Sequence, residues 1–130
     1  MLGEMITQVA GASDYYLGGV VAYSNDVKQE ALGVPAEVID AHGAVSEAVA
    51  EAMAAGCRDR FRADWAVGIT GIAGPAGGTN DKPVGLVYVA LAGASGVEVH
   101  RYQFPGTRRI VRQRSANAAL NHLRLALLGK

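Results

Sequence analysis

Six consecutive residues, Leu86-Val87-Tyr88-Val89-Ala90-Leu91, are apolar on both faces of an extended chain. Side chains alternate across a strand, so such a run is at home only where both faces are covered. After Ala92-Gly93-Ala94-Ser95-Gly96, a hairpin signature, comes a second run, Val97 to Phe104. There Val97, Val99, Arg101 and Gln103 alternate poorly with Glu98, His100, Tyr102 and Phe104, as on an edge strand. Trp65 to Thr70 (WAVGIT) and Tyr16 to Tyr23 (YLGGVVAY) read as two further buried strands.

Helical patterns fill the spaces between. Leu2, Met5, Ile6 and Val9 recur on one helix face, with no Ser, Thr, Asp or Asn before them to cap a start. Ser24, Asn25 and Asp26 supply caps for a short helix to Leu32, which Gly33 ends. Pro35 opens another, to about Asp40. Ser46 caps the clearest helix, whose inner face runs through Val49, Met53, Gly56, Cys57 and Arg60. Thr107 caps the last, with Ala116, Leu120, Leu123 and Leu127 on its core face. Strands, helices and a hairpin together predict one α/β domain over residues 1–130, a sandwich with a mixed sheet.

Composition narrows the function classes. Half the residues are hydrophobic and 18% are charged, which excludes disorder. The apolar runs stop well short of the ~20 residues of a membrane span, and no signal peptide is evident. Cys57 is the one cysteine, so no internal disulfide forms and a reducing, cytoplasmic setting fits best. His42, His100 and His122 share no ligand spacing, so no metal site is expected. Twelve basic residues balance twelve acidic ones, and aromatic residues make up only 6% of the chain, which disfavours direct nucleic-acid binding. The balance is uneven along the chain: eight acids and one base up to Cys57, then eleven bases and four acids. Two halves attracting each other, within the fold or across a dimer, account for this more simply than an anion site does.

Two places could carry chemistry. Thr70 runs into Gly71-Ile72-Ala73-Gly74-Pro75-Ala76-Gly77-Gly78-Thr79, whose glycines let backbone N–H groups converge on an anion. No Gly-Lys-Ser/Thr closes this loop and its glycines open no helix, so it is neither a P-loop nor a dinucleotide fingerprint. A tight connection and a phosphate cradle account for it about equally. The second place is Tyr23-Ser24-Asn25-Asp26-Val27-Lys28, where a phenol and an ammonium can aim at one edge of the sheet. A lysine shielded from water can act as a general base. A surface lysine paired with Glu30 is the simpler account of the spacing.

The strings GGVVAYSNDVK, HGAVSEAVAEAMA, GITGIAGPAGGTNDKPVGLVYVAL and FPGTRRIVRQR together resemble the CinA C-terminal domain family, which includes nicotinamide mononucleotide deamidases. The similarity runs from Leu2 to about Leu127. It implies a three-layer α/β/α sandwich, hydrolysis of nicotinamide mononucleotide to the nicotinic acid form plus ammonia, a homodimer, and no cofactor. By position it implies Lys28 as base, Tyr23 as its hydrogen-bonding partner at the reacting centre and Thr70 near the amide. Asn25, Gly71, Ile72, Ala73, Gly74, Pro75 and Gly78 would surround the substrate. Arg108 or Arg112 would clamp the phosphate; Thr107 stands where the family has Asp, which leaves the choice open. The family's Glu-Ser-Cys-Thr-Gly-Gly stretch, with its presumed nucleophilic serine and a strand before it, has no counterpart in these residues. The expectation is an amidase domain shortened at its start, with weak or absent turnover; the alternative is a non-catalytic nucleotide-binding or competence-associated module.

Overall fold

The computed structural model describes residues 1–130. Five α-helices and three strands follow the order α1 (Leu2–Thr7), α2 (Asn25–Leu32), α3 (Ala36–His42), α4 (Glu47–Phe61), β1 (Ala66–Gly71), β2 (Leu86–Gly93), β3 (Gly96–Gln103) and α5 (Arg108–Leu127). A 3₁₀ turn at Ala12–Asp14 follows α1. The cap residues act as their types require: Ser24, Ser46 and Thr107 each accept a hydrogen bond from the backbone N–H three residues on.

The strands form a sheet in the order β1-β2-β3, so the two-sided apolar run lies at its centre. Alternation divides β2 between two layers. Ala90 and Ala92 meet Ala50 and Ala54 of α4, while Val87 and Val89 meet Val111 and Ala119 of α5. This is the three-layer α/β/α arrangement. The other side of α4, through Val49 and Met53, packs on Leu32, Val34 and Ile39 from α2, α3 and their connection.

Three expectations need correction. Both strand pairs are antiparallel, so the sheet is not mixed. Tyr16–Tyr23, expected as a buried strand, pairs with no strand. Gly18 lies against Phe61 near the end of α4, and Ala22 packs on the Val49–Met53 cluster nearer its start. No hydrogen bond joins the segment to β1. Residues 17–23 make no backbone–backbone hydrogen bond at all, and Val21 is 87% exposed. Composition marks a segment as fit for a sheet; it does not supply the neighbour that burial requires. Third, the buried residues of α5 are Val111, Ser115, Ala116 and Ala119, whereas Leu127 is exposed. The valine face of β2 is met by Val111 and Ala119, with Ala116 buried as expected and Leu120 and Leu123 half-buried.

The charged halves do not meet as ion pairs. No Lys or Arg nitrogen lies within 4.0 Å of a carboxylate; His100–Glu98 is the one contact of that kind.

Gly56 shows how closely the helical layer is packed. A Cβ at this position would lie 1.7 Å from the Leu32 carbonyl oxygen, the last turn of α2. Alanine should gain about 1 kcal/mol of helix propensity and lose more to the backbone clash. Gly56→Ala should therefore lower unfolding stability by about 2 kcal/mol, read as a fall in the urea midpoint at unchanged slope.

Candidate functional site

The sandwich brings three chain ends to one end of the sheet. Thr70, at the close of β1, is 7% exposed and donates its hydroxyl to Ala44 O at 2.8 Å, just ahead of α4. Arg108 opens α5 and donates from Nη1 to Gly74 O at 3.0 Å, tying the glycine loop to that helix. Ser24 opens α2, one turn before Lys28.

Between these lies a hollow of about 390 Å³. Ala22, Tyr23, Asn25 and Lys28 line one part, Ala44 and Val45 a second, and Ile69 to Gly74 with Ala76, Gly77 and Arg108 the rest. The two regions singled out in the sequence thus face one space. Pro75, Gly78 and Arg112 do not line it. Pro75 follows a cis peptide bond. Gly78 packs on the backbone of Val84, and Arg112 is exposed further along α5.

Lys28 is the most informative residue. It is 6% exposed and has no carboxylate partner, so the pairing with Glu30 is not made. Its Nζ donates to Ala22 O at 2.9 Å and reaches Tyr23 O at 3.5 Å. Burial pushes its pKa below the ordinary 10.5. A buried ammonium held only by carbonyls gives up its proton more readily than a solvated one. Tyr23 contributes that carbonyl, while its side chain is 82% exposed at the rim.

The loop has both used and free donors. Ile72 N–H is bonded to Leu86 O and Gly85 N–H to Ile72 O, which fixes the base of the loop against β2. The N–H groups of Ala73, Gly74 and Gly77 donate to no protein acceptor. Gly74 has φ +81°, and a Cβ there would lie 2.4 Å from Val84 Cγ1, so both conformation and space call for glycine. The hydroxyls nearby are engaged: Ser24 and Ser46 as helix caps, Thr70 on Ala44 O.

Sequence reasoning missed Ala44 and Val45. Their turn is held from both sides, by Thr70 and by Lys82, whose Nζ donates to His42 O at 2.5 Å. A turn that contributes carbonyls leaves no side-chain signature; Gly43, just ahead of the Ser46 cap, was the one available sign. Cys57 packs with the α2–α3 cluster, and burial raises its thiol pKa, as suits a core residue.

The Lys28 environment predicts a pH effect. Between its lowered pKa and 10.5 the unfolded chain holds a proton that the folded chain has shed, so stability rises with pH through that window. The parent chain should gain stability relative to Lys28→Met as pH is raised toward 10.5, read from urea midpoints. A constant difference would show that Lys28 is as solvated as any surface lysine.

Comparison with known proteins places this arrangement. The family model described as the CinA C-terminal domain matches residues 1–127. A CinA-like protein of Mycolicibacterium gilvum is 58% identical over 130 residues, covering 99% of this chain and 31% of the relative. One from Anaeromyxobacter dehalogenans is 56% identical over 127 residues, 98% of this chain and again 31% of the relative. The chain thus spans about a third of the length of the curated relatives it matches. Among solved structures, a competence/damage-inducible protein from Agrobacterium tumefaciens superposes with TM-score 0.91 at 40% identity, covering 94% of this chain and 75% of that one. A CinA superfamily protein from Klebsiella pneumoniae superposes with TM-score 0.93 at 32% identity, covering 99% and 81%. With the family model spanning nearly its whole length, the chain belongs to the CinA C-terminal domain family.

Proposed function

We propose that the hollow binds a nicotinamide nucleotide, and that the domain is the substrate-holding part of an amidohydrolase that converts nicotinamide mononucleotide to nicotinic acid mononucleotide and ammonia. The observation that carries this reading is Lys28: buried, without a counter-ion, and facing the same space as Thr70 and the glycine loop. Amide hydrolysis needs a nucleophile, a base, donors for the developing oxyanion and a proton for the departing nitrogen. Lys28 is suited to take the nucleophile's proton and return it to the leaving ammonia. The unbonded N–H groups of Ala73, Gly74 and Gly77 are suited to an oxyanion or phosphate. Arg108 reaches the same space and supplies positive charge, while Asn25 and Tyr23 at the rim offer polar contacts. No cofactor enters this chemistry.

The nucleophile is the part these residues do not provide, because Ser24, Ser46 and Thr70 already spend their hydroxyls on the backbone. That observation also supports a second reading, a nucleotide-binding module without turnover. Two experiments separate them. The 130-residue chain should bind nicotinamide mononucleotide in calorimetry yet release little ammonia. Extending it upstream with the family's Glu-Ser-Cys-Thr-Gly-Gly stretch and preceding strand should produce release, and Lys28→Ala in that longer chain should reduce it by about 10²–10⁴-fold. An extended chain that binds the nucleotide without releasing ammonia would favour the binding module. An absence of binding in both chains would remove both readings.

The same proposal includes a homodimer. Leu17, Val20 and Val21 form exposed apolar surface of the kind that a second copy covers. Sedimentation at micromolar concentration should show a two-fold mass, and charged substitution at Val21 should shift it to the monomer.

A further inference from the structure

Away from the hollow, two of the three histidines meet across the seam between β3 and α5. The α5-facing side of β3 carries Glu98, His100 and Tyr102, and α5 brings His122 over them. The imidazoles of His100 and His122 stack with centroids 3.8 Å apart and planes 12° from parallel. The Tyr102 hydroxyl and His122 Nε2 share a 2.5 Å hydrogen bond, and Tyr102 in turn stacks on Phe104 at 4.9 Å. His100 Nε2 is screened from solvent without a hydrogen-bond partner; Glu98 Oε2 stands 3.5 Å away.

Besides His100, Glu98 is the one charged group that acts on His122. Tyr102 itself packs against the apolar cluster of Val87, Val89, Val111 and Ala119. One helical turn either side of His122 lie Ala118, Ala119, Leu125 and Ala126. Arg124 is turned onto Asn121. Glu98 is the single counter-charge, and its side chain is largely exposed.

We propose that the His100–His122 stack is a proton-operated latch that fastens the C-terminal half of α5 to β3. With both rings neutral, Tyr102 O–H donates to His122 Nε2 and the rings lie flat on each other. A proton on His122 turns Nε2 into a donor, so the Tyr102 hydroxyl must reverse its role. A second proton on His100 sets two like charges face to face in a seam with one solvated carboxylate to offset them.

The direction follows from the surroundings. Burial and then His100 lower the pKa of His122 from 6.5, and Glu98 opposes them. The opened seam therefore takes up protons more readily than the closed one. Closure is fully stabilised above about pH 6.5 and weakens as pH falls from there toward the lowered value. This inference stands whatever the hollow binds.

The test uses the chain as it is. Imidazole carbon-bound proton shifts, followed from pH 8 to 4.5, should show His122 titrating below the ordinary histidine range. Amide exchange, corrected for its intrinsic pH dependence, should quicken at least tenfold over Ala118–Leu125 between pH 7.5 and 5, while the interior of β2 changes far less. His100→Phe keeps an aromatic ring in the stack and removes the like charge, so it should lessen that acceleration, while the burial of His122 preserves the rest. Titration of His122 at the ordinary histidine value, or α5 protection that does not change with pH, would overturn the latch. The titration is read on the unaltered chain, so it decides the matter even if the variant folds poorly.

Discussion

Burying β2 on both faces governs the rest of the architecture. A strand with Val87 and Val89 on one side and Ala90 and Ala92 on the other must be covered twice, and α4 and α5 supply the two covers. Each helix starts at the same end of the sheet. α4 begins just past Ala44, where Thr70 binds, and α5 begins with Arg108, which binds Gly74. The hollow lies where these starts and the exit of β1 converge, so its position follows from the layering.

Much of this was legible because it is local. Helix caps at Ser24, Ser46 and Thr107, the Gly33 stop and the hairpin between Gly93 and Gly96 depend on residues within one turn of each other. What failed was non-local. Tyr16–Tyr23 has the composition of a strand, but whether it pairs depends on what lies beside it. The core face of α5 was expected through Ala116, Leu120, Leu123 and Leu127; Ala116 is buried, but the space above Val87 and Val89 is filled by Val111 and Ala119. In the site, Lys28 and the Thr70 loop announced themselves by residue type, but the Ala44–Val45 turn contributes a carbonyl and a wall. The two stacked histidines come from a strand and a helix 22 residues apart, a pairing with no period in the sequence.

The basic side chains show a common habit. Lys28 binds Ala22 O, Arg58 binds Asp64 O, Arg60 binds Glu30 O, Lys82 binds His42 O and Arg108 binds Gly74 O. The imbalance of charge between the two halves is not resolved by carboxylates. Cations act here as clamps on main-chain carbonyls at loops and helix ends. A carbonyl does not titrate, so these ties keep their acceptor at any pH, in contrast to the imidazole seam.

The contact between α4 and the sheet is built from the smallest side chains. Gly68 lies so close beneath α4 that a Cβ there would stand 3.0 Å from Ala54 N, and Ala50, Ala54, Ala90 and Ala92 complete the layer. This thin seam lowers the helix onto the strands and carries the Gly43–Val45 turn down with it to Thr70. One extra methyl group in that alanine layer would raise the helix and move the Ala44–Val45 wall of the hollow from a distance. The size of the hollow is therefore set in part by residues that do not line it.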